Sequence, residues 1–304
     1  MRAIITGGTG LLARYIIEEL LQYDFEIVAV VSENRMEFAK TLYSNNVRLV
    51  SNDFFSDANA LKKDIPDSCI INTAFTRANE GKEVARSLDY SYSVFDASKR
   101  NGAKSVINCS SRSVYEDPGE GCFNTEESEI NTDSLIATAK YGSELLLKAF
   151  FNGTEIKYTN LRISSINELK LDNNMIRPLN IFVDCVISGK NLTVYNGNQT
   201  MSFVDPRDVA RAVRMICCSS TDWKDVYNVG SGELGTYRLI DMAKSVVRIG
   251  EEFGFPPMGI DIIRKNINQS AGLNNDRIFN DFGFSPKISL DEMIRSLYEM
   301  RISK

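Results

Sequence analysis

A glycine-rich segment near the start of the sequence has the residue types and spacing needed to hold a phosphate. Residues 6–13 read T-G-G-T-G-L-L-A, which fits the pattern G-x-x-G-x-x-A between an apolar run and a helical pattern. Glycine lets the backbone approach a pyrophosphate closely, and the free N–H groups of the following helix attract the anion. In this context the segment predicts dinucleotide binding rather than an ordinary glycine turn. The predicted contacts are Gly7, Thr9, Gly10, Leu11 and Leu12.

The end of the second predicted strand bears on the choice between NAD and NADP. An acidic residue at this point would accept hydrogen bonds from the ribose 2′-hydroxyl of NAD. Residues 30–35 read V-V-S-E-N-R, so Ser32 and Arg35 are placed to hold a 2′-phosphate. Glu33, displaced by two positions, could still select NAD. We therefore predict NAD(P) as cofactor, with a slight preference for NADP.

These residues require a scaffold, and the apolar pattern predicts one. In the first half of the chain, strand-like apolar runs alternate with amphipathic helical patterns, as in a parallel, doubly wound sheet. The predicted strands cover Arg2–Thr6, Glu26–Val31, Val47–Val50, Cys69–Asn72, Ser105–Cys109 and Lys157–Ile163. The predicted helices cover Leu11–Tyr23, Arg35–Tyr43, Glu83–Asn101 and Ser134–Phe151.

After about Ile166 the alternation becomes irregular. Helices are predicted over Asn173–Gly189, Pro206–Ser219, Tyr237–Gly250 and Leu290–Ile302, with strands over Thr193–Tyr195 and Asp225–Val229. We expect an α/β fold, with a doubly wound parallel Rossmann sheet in residues 1–165 that binds the dinucleotide. A smaller C-terminal α/β lobe of residues 166–304 would bind the substrate, and some of its strands could return to the first domain.

Composition excludes several other classes of protein. The chain has 304 residues, is 43% hydrophobic and 25% charged, and carries a net charge of −5. A net-acidic chain without a basic cluster is a poor match for nucleic acid or an anionic membrane. The six cysteines form no C-x-x-C pair and there is no histidine, which excludes mixed Cys/His zinc sites and Ser-His-Asp triads. With no signal-peptide or membrane-span pattern, we expect a cytoplasmic protein without a metal.

Further segments, in order and at the expected spacing, resemble the extended short-chain dehydrogenase/reductases of the nucleotide-sugar epimerase/dehydratase type. These segments are residues 52–54, 70–74, 109–115, 202–210, 227–232 and 282–286. The resemblance covers nearly the whole chain. It implies that Asp53 and Phe54 lie at the adenine, and that Thr73 and Ala74 run beside the cofactor.

The family transfers protons with a Tyr-x-x-x-Lys pair on the helix after the fifth strand, where the lysine also binds the nicotinamide ribose. Lys140 matches the lysine, but the tyrosine position holds Ile136, which cannot donate or accept a proton. Tyr141 lies about 100° round the helix from Lys140 and should point away from the cleft. Tyr115 is the better substitute, since its family counterpart lines the substrate side. The preferred alternative is that Tyr115 packs there without a proton role.

The resemblance also assigns substrate contacts. Ser111 matches the serine that hydrogen-bonds the substrate oxygen. Sugar 4,6-dehydratases carry an acid pair where this chain has Arg112 and Ser113, so that elimination is not expected. A diphosphate-binding arginine is replaced by Met201, and no arginine occupies the family's usual position before residues 271–273. Arg162 follows the sixth strand as the pattern expects. Arg177 could reach a phosphate, but the preferred interpretation is that it is a solvated surface residue.

Two hypotheses about function follow. The first is an NAD(P)-dependent sugar ketoreductase or epimerase acting on a nucleotide-linked sugar, with Lys140, Ser111 and either Tyr115 or water moving the proton. The second is an NAD(P)-binding regulatory or partner subunit without normal turnover. The enzyme is slightly preferred because the cofactor half is intact. We also expect a homodimer through helices 83–101 and 134–151. The reason is that the second helix carries more apolar residues, such as Leu145, Leu146 and Ala149, than a single buried face requires.

Overall fold

The computed structural model describes residues 1–75, 80–119, 121–167, 178–265 and 270–303. The strands are β1 (Arg2–Thr6), β2 (Glu26–Val31), β3 (Val47–Ser51), β4 (Cys69–Asn72), β5 (Ser105–Ser111), β6 (Lys157–Ile163), β7 (Ser165–Ile166), β8 (Leu192–Tyr195), β9 (Thr200–Val204), β10 (Val226–Val229), β11 (Thr236–Arg238) and β12 (Ile260–Ile263). The α-helices are α1 (Leu11–Leu21), α2 (Met36–Leu42), α3 (Ala58–Asp64), α4 (Gly81–Arg100), α5 (Leu135–Phe151), α6 (Pro178–Ile187), α7 (Pro206–Cys218), α8 (Leu239–Glu252), α9 (Asp276–Phe282) and α10 (Leu290–Ile302).

Seven parallel strands form the central sheet in the order β10-β6-β5-β4-β1-β2-β3. The strand order reverses between β1 and β4, which is where doubly wound sheets bind ligands at their carboxyl edge. The predicted doubly wound Rossmann sheet is confirmed. Each of its six strands predicted in the first half of the chain is present, within two residues of the predicted bounds.

Apolar side chains alternate between the two faces of the sheet and bury a helical layer on each side. On one face, Ile5 and Ile71 belong to a core that includes residues of α1 and α7. On the other face, Ile4 and Val106 belong to a core with the α4 and α5 residues Phe95 and Phe151. Because successive residues of a strand point to opposite faces, continuous apolar runs such as β1 are expected where helices cover both sides.

A row of buried polar side chains crosses the sheet on the α4 and α5 side. Thr6, Asn72, Asn108 and Asn160 are paired in register on adjacent strands. Thr6 Oγ1 donates to Asn72 Oδ1 at 2.7 Å, Asn72 Nδ2 to Asn108 Oδ1 at 3.0 Å, and Asn108 Nδ2 to Asn160 Oδ1 at 2.9 Å. All four residues are at most 3% exposed, so each amide depends on its neighbours for hydrogen bonds.

The C-terminal lobe builds a second core from α6, α8 and α10. Beside them lie a three-stranded sheet, β11-β9-β7, and a two-stranded sheet, β12-β8. The intervening residues return to the first lobe, because β10 pairs with β6 and α7 packs on α1. The division at residue 165 therefore stays a prediction about function rather than a single boundary in the fold.

Several short elements were not predicted from the sequence. They are α3, α9, β7, β9, β11 and β12, each of seven residues or fewer, too short for a periodic pattern to be distinctive. The helix predicted over 173–189 is present as α6. The first five residues of the predicted range, 173–177, lie outside the described residues, and Arg177 is among them. Within the described ranges, no helix combines the length and hydrophobicity that a membrane span requires.

We predict that Asn108→Leu lowers the free energy of unfolding by on the order of 3 kcal/mol, since it leaves Asn72 Nδ2 and Asn160 Oδ1 buried without the partner that Asn108 supplies. Urea denaturation measures the change. Asn59→Leu, on the exposed surface of α3, is the matched control and should change stability by less than about 0.5 kcal/mol. Equal stability of the two variants would contradict a structural role for the row of buried polar side chains.

Candidate functional site

The glycine loop places backbone rather than side chains at the carboxyl edge of β1. Gly7 has φ of +67°, and a Cβ there would lie 3.0 Å from Ala74 Cα. A Cβ at Gly10 would lie 3.0 Å from the Gly7 carbonyl oxygen, which accepts the Gly10 N–H at 2.7 Å. Only glycine combines that φ with this closeness to the β4 segment.

The start of α1 is open to an anion. Gly10 is its N-cap residue without a side-chain cap, and no acidic residue stands in the first turn. The first helical N–H groups, from Leu11 to Ala13, therefore keep their donors and the positive end of the helix dipole for a ligand. This geometry suits a pyrophosphate.

A cavity of about 380 Å³ opens beside this loop. Of the predicted cofactor residues, Gly7, Thr9, Gly10, Ser32, Thr73 and Ala74 line it. Sequence reasoning missed Asn52, Phe75, Arg86, Ser87 and Tyr90, which also line it. The last three lie on one face of α4, and an i, i+1, i+4 spacing on a long helix carries no recognisable motif in a single sequence.

Two of the α4 side chains test whether a cofactor fits this cavity. Ser87 Oγ and Tyr90 OH are buried and have no hydrogen-bond partner among the residues described. Burial also raises the pKa of the Tyr90 phenol above its ordinary value, so it stays a donor. Unpartnered buried polar groups are rare in native proteins, and a bound ligand is one way to satisfy those at a cavity wall. Together with the open helix N-terminus, they fit a dinucleotide.

Five other predicted cofactor residues are not part of the cavity wall. Phe54 is buried in the core edge-to-face against Phe55, and the exposed Asp53 side chain is not part of the lining. Arg35 is exposed, with its guanidinium 5.8 Å from the Phe38 ring centroid. Leu12 packs on the core, and Leu11 faces a separate small pocket. For these residues a cofactor contact remains a prediction.

Lys140 lies at the carboxyl end of β5, next to the cavity. Its Nζ donates to the Cys109 carbonyl at 2.7 Å and lies 3.9 Å from the centroid of the Phe75 ring, which lines the cavity. Burial lowers the pKa of Lys140 to about 8. An amine with that pKa exchanges a proton readily near neutral pH.

Consecutive residues of β5 hold the helix that carries Lys140. Asn108 Nδ2 donates to Ser143 Oγ at 3.1 Å, the Cys109 carbonyl accepts from Lys140, and Ser110 Oγ donates to the Glu144 carboxylate. All three α5 residues face the sheet. The register of α5 on β5 is therefore specified by polar contacts as well as by packing.

Glu144 also pairs with Arg162, which lies within β6 rather than after it. The two side chains are 5% and 6% exposed, and Arg162 Nη2 lies 2.7 Å from Glu144 Oε2. Burial alone would lower the pKa of Arg162, and the ion pair raises it above its ordinary value. Arg162 is thus a neutralised structural charge beneath the site.

The three side chains considered for the tyrosine role have different surroundings. Ile136 is 37% exposed on α5, one helical turn before Lys140. Tyr141 packs against Val114 and Tyr115. The Tyr115 hydroxyl donates to Asn228 Oδ1 at 2.7 Å, and burial raises the pKa of Tyr115 to about 12.

A second cavity, of about 420 Å³, lies between the two lobes beyond Ser111. Its lining includes Arg112, Tyr115, Asp133, Met201 and Ala271. Ser111 itself accepts a hydrogen bond from the Ser113 N–H at 3.2 Å. A ligand spanning both cavities would pass the β5 end, where Ser111 and Lys140 lie.

Comparison with known proteins agrees with this architecture. A UDP-glucose 4-epimerase from Thermotoga maritima superposes with a TM-score of 0.80 at 19% identity, covering 100% of this chain and 99% of that one. A UDP-glucuronic acid 4-epimerase from Bacillus cereus, solved with NAD, gives 0.81 at 15% identity and 100% coverage of both chains. A UDP-N-acetylglucosamine 4-epimerase from Methanobrevibacter ruminantium gives 0.80 at 21% identity, covering 99% and 98%. At these identities the likeness establishes the fold.

The fold and the glycine-loop site define a Rossmann-type dinucleotide-binding protein. The model of the NAD dependent epimerase/dehydratase family matches residues 3–230, and the chain belongs to that family. The resemblance inferred from the sequence is thereby confirmed. No curated protein matches the sequence.

We predict that Gly10→Asp abolishes NADH binding, because the new carboxylate would meet the Gly7 carbonyl and repel the pyrophosphate. Fluorescence titration of NADH measures the affinity. Gly81→Asp adds the same charge where a Cβ has open space, and should bind like wild type. Undiminished binding by Gly10→Asp would place the cofactor elsewhere.

Proposed function

We propose that the protein is an NAD-dependent epimerase of nucleotide-linked sugars in which Lys140, rather than a tyrosine, moves the hydroxyl proton. The observation that carries this proposal is the place of Lys140. Its amine lies at the end of β5 beside the cofactor cavity, with a pKa lowered to about 8 by burial. Membership in a family of epimerases and dehydratases supports turnover over a purely regulatory role.

The residues of the first cavity would hold the cofactor. The glycine loop and the start of α1 suit the pyrophosphate, and Ser87 and Tyr90 offer unpartnered hydroxyls. Bound NAD supplies hydride acceptance and return. We propose NAD rather than NADP, because the Arg35 guanidinium lies against Phe38 instead of lining the cavity. Several similar structures were solved with NAD.

Proton transfer falls to side chains of this chain. In its neutral form Lys140 can accept the substrate hydroxyl proton and then return it. Ser111 would hydrogen-bond the same oxygen and hold it in place. Tyr115 is a poor substitute, since its hydroxyl is committed to Asn228 and its pKa is raised to about 12 by burial.

The substrate class is supported by the second cavity and by the comparisons. The cavity lies beyond Ser111, is lined by both lobes, and has the volume of a small-ligand site. Similar structures carry UDP-glucose or other UDP-sugars. Water elimination is not proposed, since Arg112 and Ser113 occupy the two positions at which sugar 4,6-dehydratases carry an acid pair.

We predict that turnover of UDP-sugars rises with pH up to about 8 and then levels, because only the neutral amine of Lys140 accepts a proton. Epimerisation rates at saturating substrate, measured by chromatography from pH 6 to 9.5, give the profile. Lys140→Met should lower kcat by about 10²–10⁴-fold. Ile136→Tyr should raise the rate at pH 7, where roughly a tenth of an amine with this pKa is neutral.

Two controls separate the possible outcomes. Tyr115→Phe should retain most of the rate, whereas its loss would make Tyr115 the acid–base group. Lys148→Met removes an exposed lysine of the same helix and should leave the pH profile unchanged. If wild-type protein binds NADH but turns over no UDP- or dTDP-sugar, the epimerase proposal is wrong.

We also propose that the exposed face of α4 and α5 pairs with a second copy of the chain. A shallow, largely apolar groove there is lined by Leu88, Tyr92, Leu145, Leu146 and Ala149. Leu145 is 52% exposed and Tyr92 is 50% exposed, which is costly for adjacent large apolar groups in a monomer.

We predict a dimeric mass in multi-angle light scattering at micromolar concentration, because pairing removes this groove from water. Leu145→Lys should shift the mass toward monomer by placing a charge in the interface. Phe279→Lys changes a residue that is 54% exposed on α9 and should remain dimeric. A monomeric wild-type protein would refute the pairing.

A further inference from the structure

The glycine loop has an anchor that lies outside the loop itself. The hydroxyl of Tyr43, the residue that follows α2, donates a hydrogen bond to the Gly8 carbonyl, 35 residues earlier in the chain. The Tyr43 ring is half-buried against the core that includes residues of α1. Burial raises the pKa of the Tyr43 phenol above its ordinary value, so the hydroxyl stays protonated near neutral pH and remains a donor.

Both backbone polar groups of Gly8 have partners within the protein. The Gly8 N–H donates to the Val30 carbonyl of β2 at 2.9 Å, and the Gly8 carbonyl accepts from Tyr43. A Cβ at Gly8 would lie 3.0 Å from the side chains of Ala29 and Val31, so the residue sits tightly against β2. Neither Gly8 nor Tyr43 lines the cofactor cavity. These contacts therefore hold the loop from behind.

The carbonyl that Tyr43 holds belongs to the same peptide unit as the N–H of Thr9. No peptide bond among the described residues is cis, and in a planar trans unit the C=O and the N–H point in opposite directions. Thr9 lines the cavity, whereas Gly8 does not. With the carbonyl turned back toward Tyr43, the Thr9 N–H is turned toward the cavity.

The Thr9 N–H also differs from its neighbours in having no acceptor. The N–H groups of Gly8 and Gly10 donate to the carbonyls of Val30 and Gly7, at 2.9 and 2.7 Å. Within the described ranges, no group accepts a hydrogen bond from the Thr9 N–H. A free backbone donor at a cavity wall, next to the open start of α1, suits an oxygen of a pyrophosphate.

We propose that Tyr43 is a positioning residue for the cofactor, whose hydroxyl holds the Gly8 carbonyl and thereby aims the Thr9 N–H at the pyrophosphate. This inference rests on the proposed function, in which the first cavity holds NAD.

The hydroxyl of Tyr43 is needed for this role, and its ring is not. A phenylalanine would pack on the core in the same way but would leave the Gly8 carbonyl without its donor. Glycine restrains its own backbone rotation only weakly, so the peptide unit between Gly8 and Thr9 would then be free to rotate. A rotated unit turns a carbonyl oxygen, rather than an N–H, toward the anionic ligand.

The test compares ligands with and without a pyrophosphate in wild type and in Tyr43→Phe, which removes only the hydroxyl. Fluorescence titration should show the Kd for NADH rising about five- to tenfold in the variant, the usual effect of one lost hydrogen bond. ADP-ribose, which keeps the pyrophosphate without the nicotinamide, should weaken by the same factor when it competes with NADH. Adenosine, which has no pyrophosphate, should bind both proteins equally in ligand-observed NMR. A purely structural role for Tyr43 would not distinguish these ligands.

A matched control and the remaining outcomes complete the test. Tyr158→Phe removes a hydroxyl that donates to Asp225 at 3.0 Å beside β6, and should bind NADH as wild type does. Unchanged NADH affinity in Tyr43→Phe overturns the positioning role. Equal weakening of NADH and adenosine also overturns it, since Tyr43 would then maintain the shape of the whole cavity. If wild-type protein binds neither NADH nor ADP-ribose, the cofactor assignment in the proposed function is itself wrong.

Discussion

The row of buried polar side chains that crosses the central sheet is the constraint on which the rest of the site depends. Thr6, Asn72, Asn108 and Asn160 satisfy one another only if four strands keep a single register. A slip of one residue would turn these side chains to the opposite face and leave their polar groups unpaired. Apolar contacts tolerate small shifts better than such a row does.

The row connects the two parts of the site. At one end, Thr6 accepts with its carbonyl from Thr73 Oγ1 and with its Oγ1 from the Ala74 N–H, which holds β4 against the glycine loop. Near its centre, Asn108 donates to Ser143 and begins the polar contacts between β5 and α5. One set of hydrogen bonds thus sets the distance between the glycine loop and Lys140.

The charged groups around the end of β5 give Tyr115 and Lys140 different surroundings, and their pKa values differ accordingly. Glu144 neutralises Arg162 beneath the site, which leaves Tyr115 over a paired cation and bonded to Asn228. Among the described residues, the close partners of Lys140 are a carbonyl and an aromatic ring, and burial lowers its pKa to about 8. Of Tyr115 and Lys140, the lysine therefore has the pKa closer to neutral pH.

The sequence by itself determined the parts of this protein that depend on local pattern. Glycine spacing, apolar runs and the order of short motifs were enough for the Rossmann sheet, the loop of Gly7 and Gly10, and the family. Short elements such as β9 and α9 escaped, since few residues contribute to their pattern. Tertiary structure alone decided which polar groups have partners. Tyr115 meets Asn228 from 113 residues away, and the buried hydroxyls of Ser87 and Tyr90, two residues of the cavity lining, have no partner among the described residues. Hydrogen bonds and desolvation act over a few ångströms in space, and a single sequence does not report which distant residues come that close.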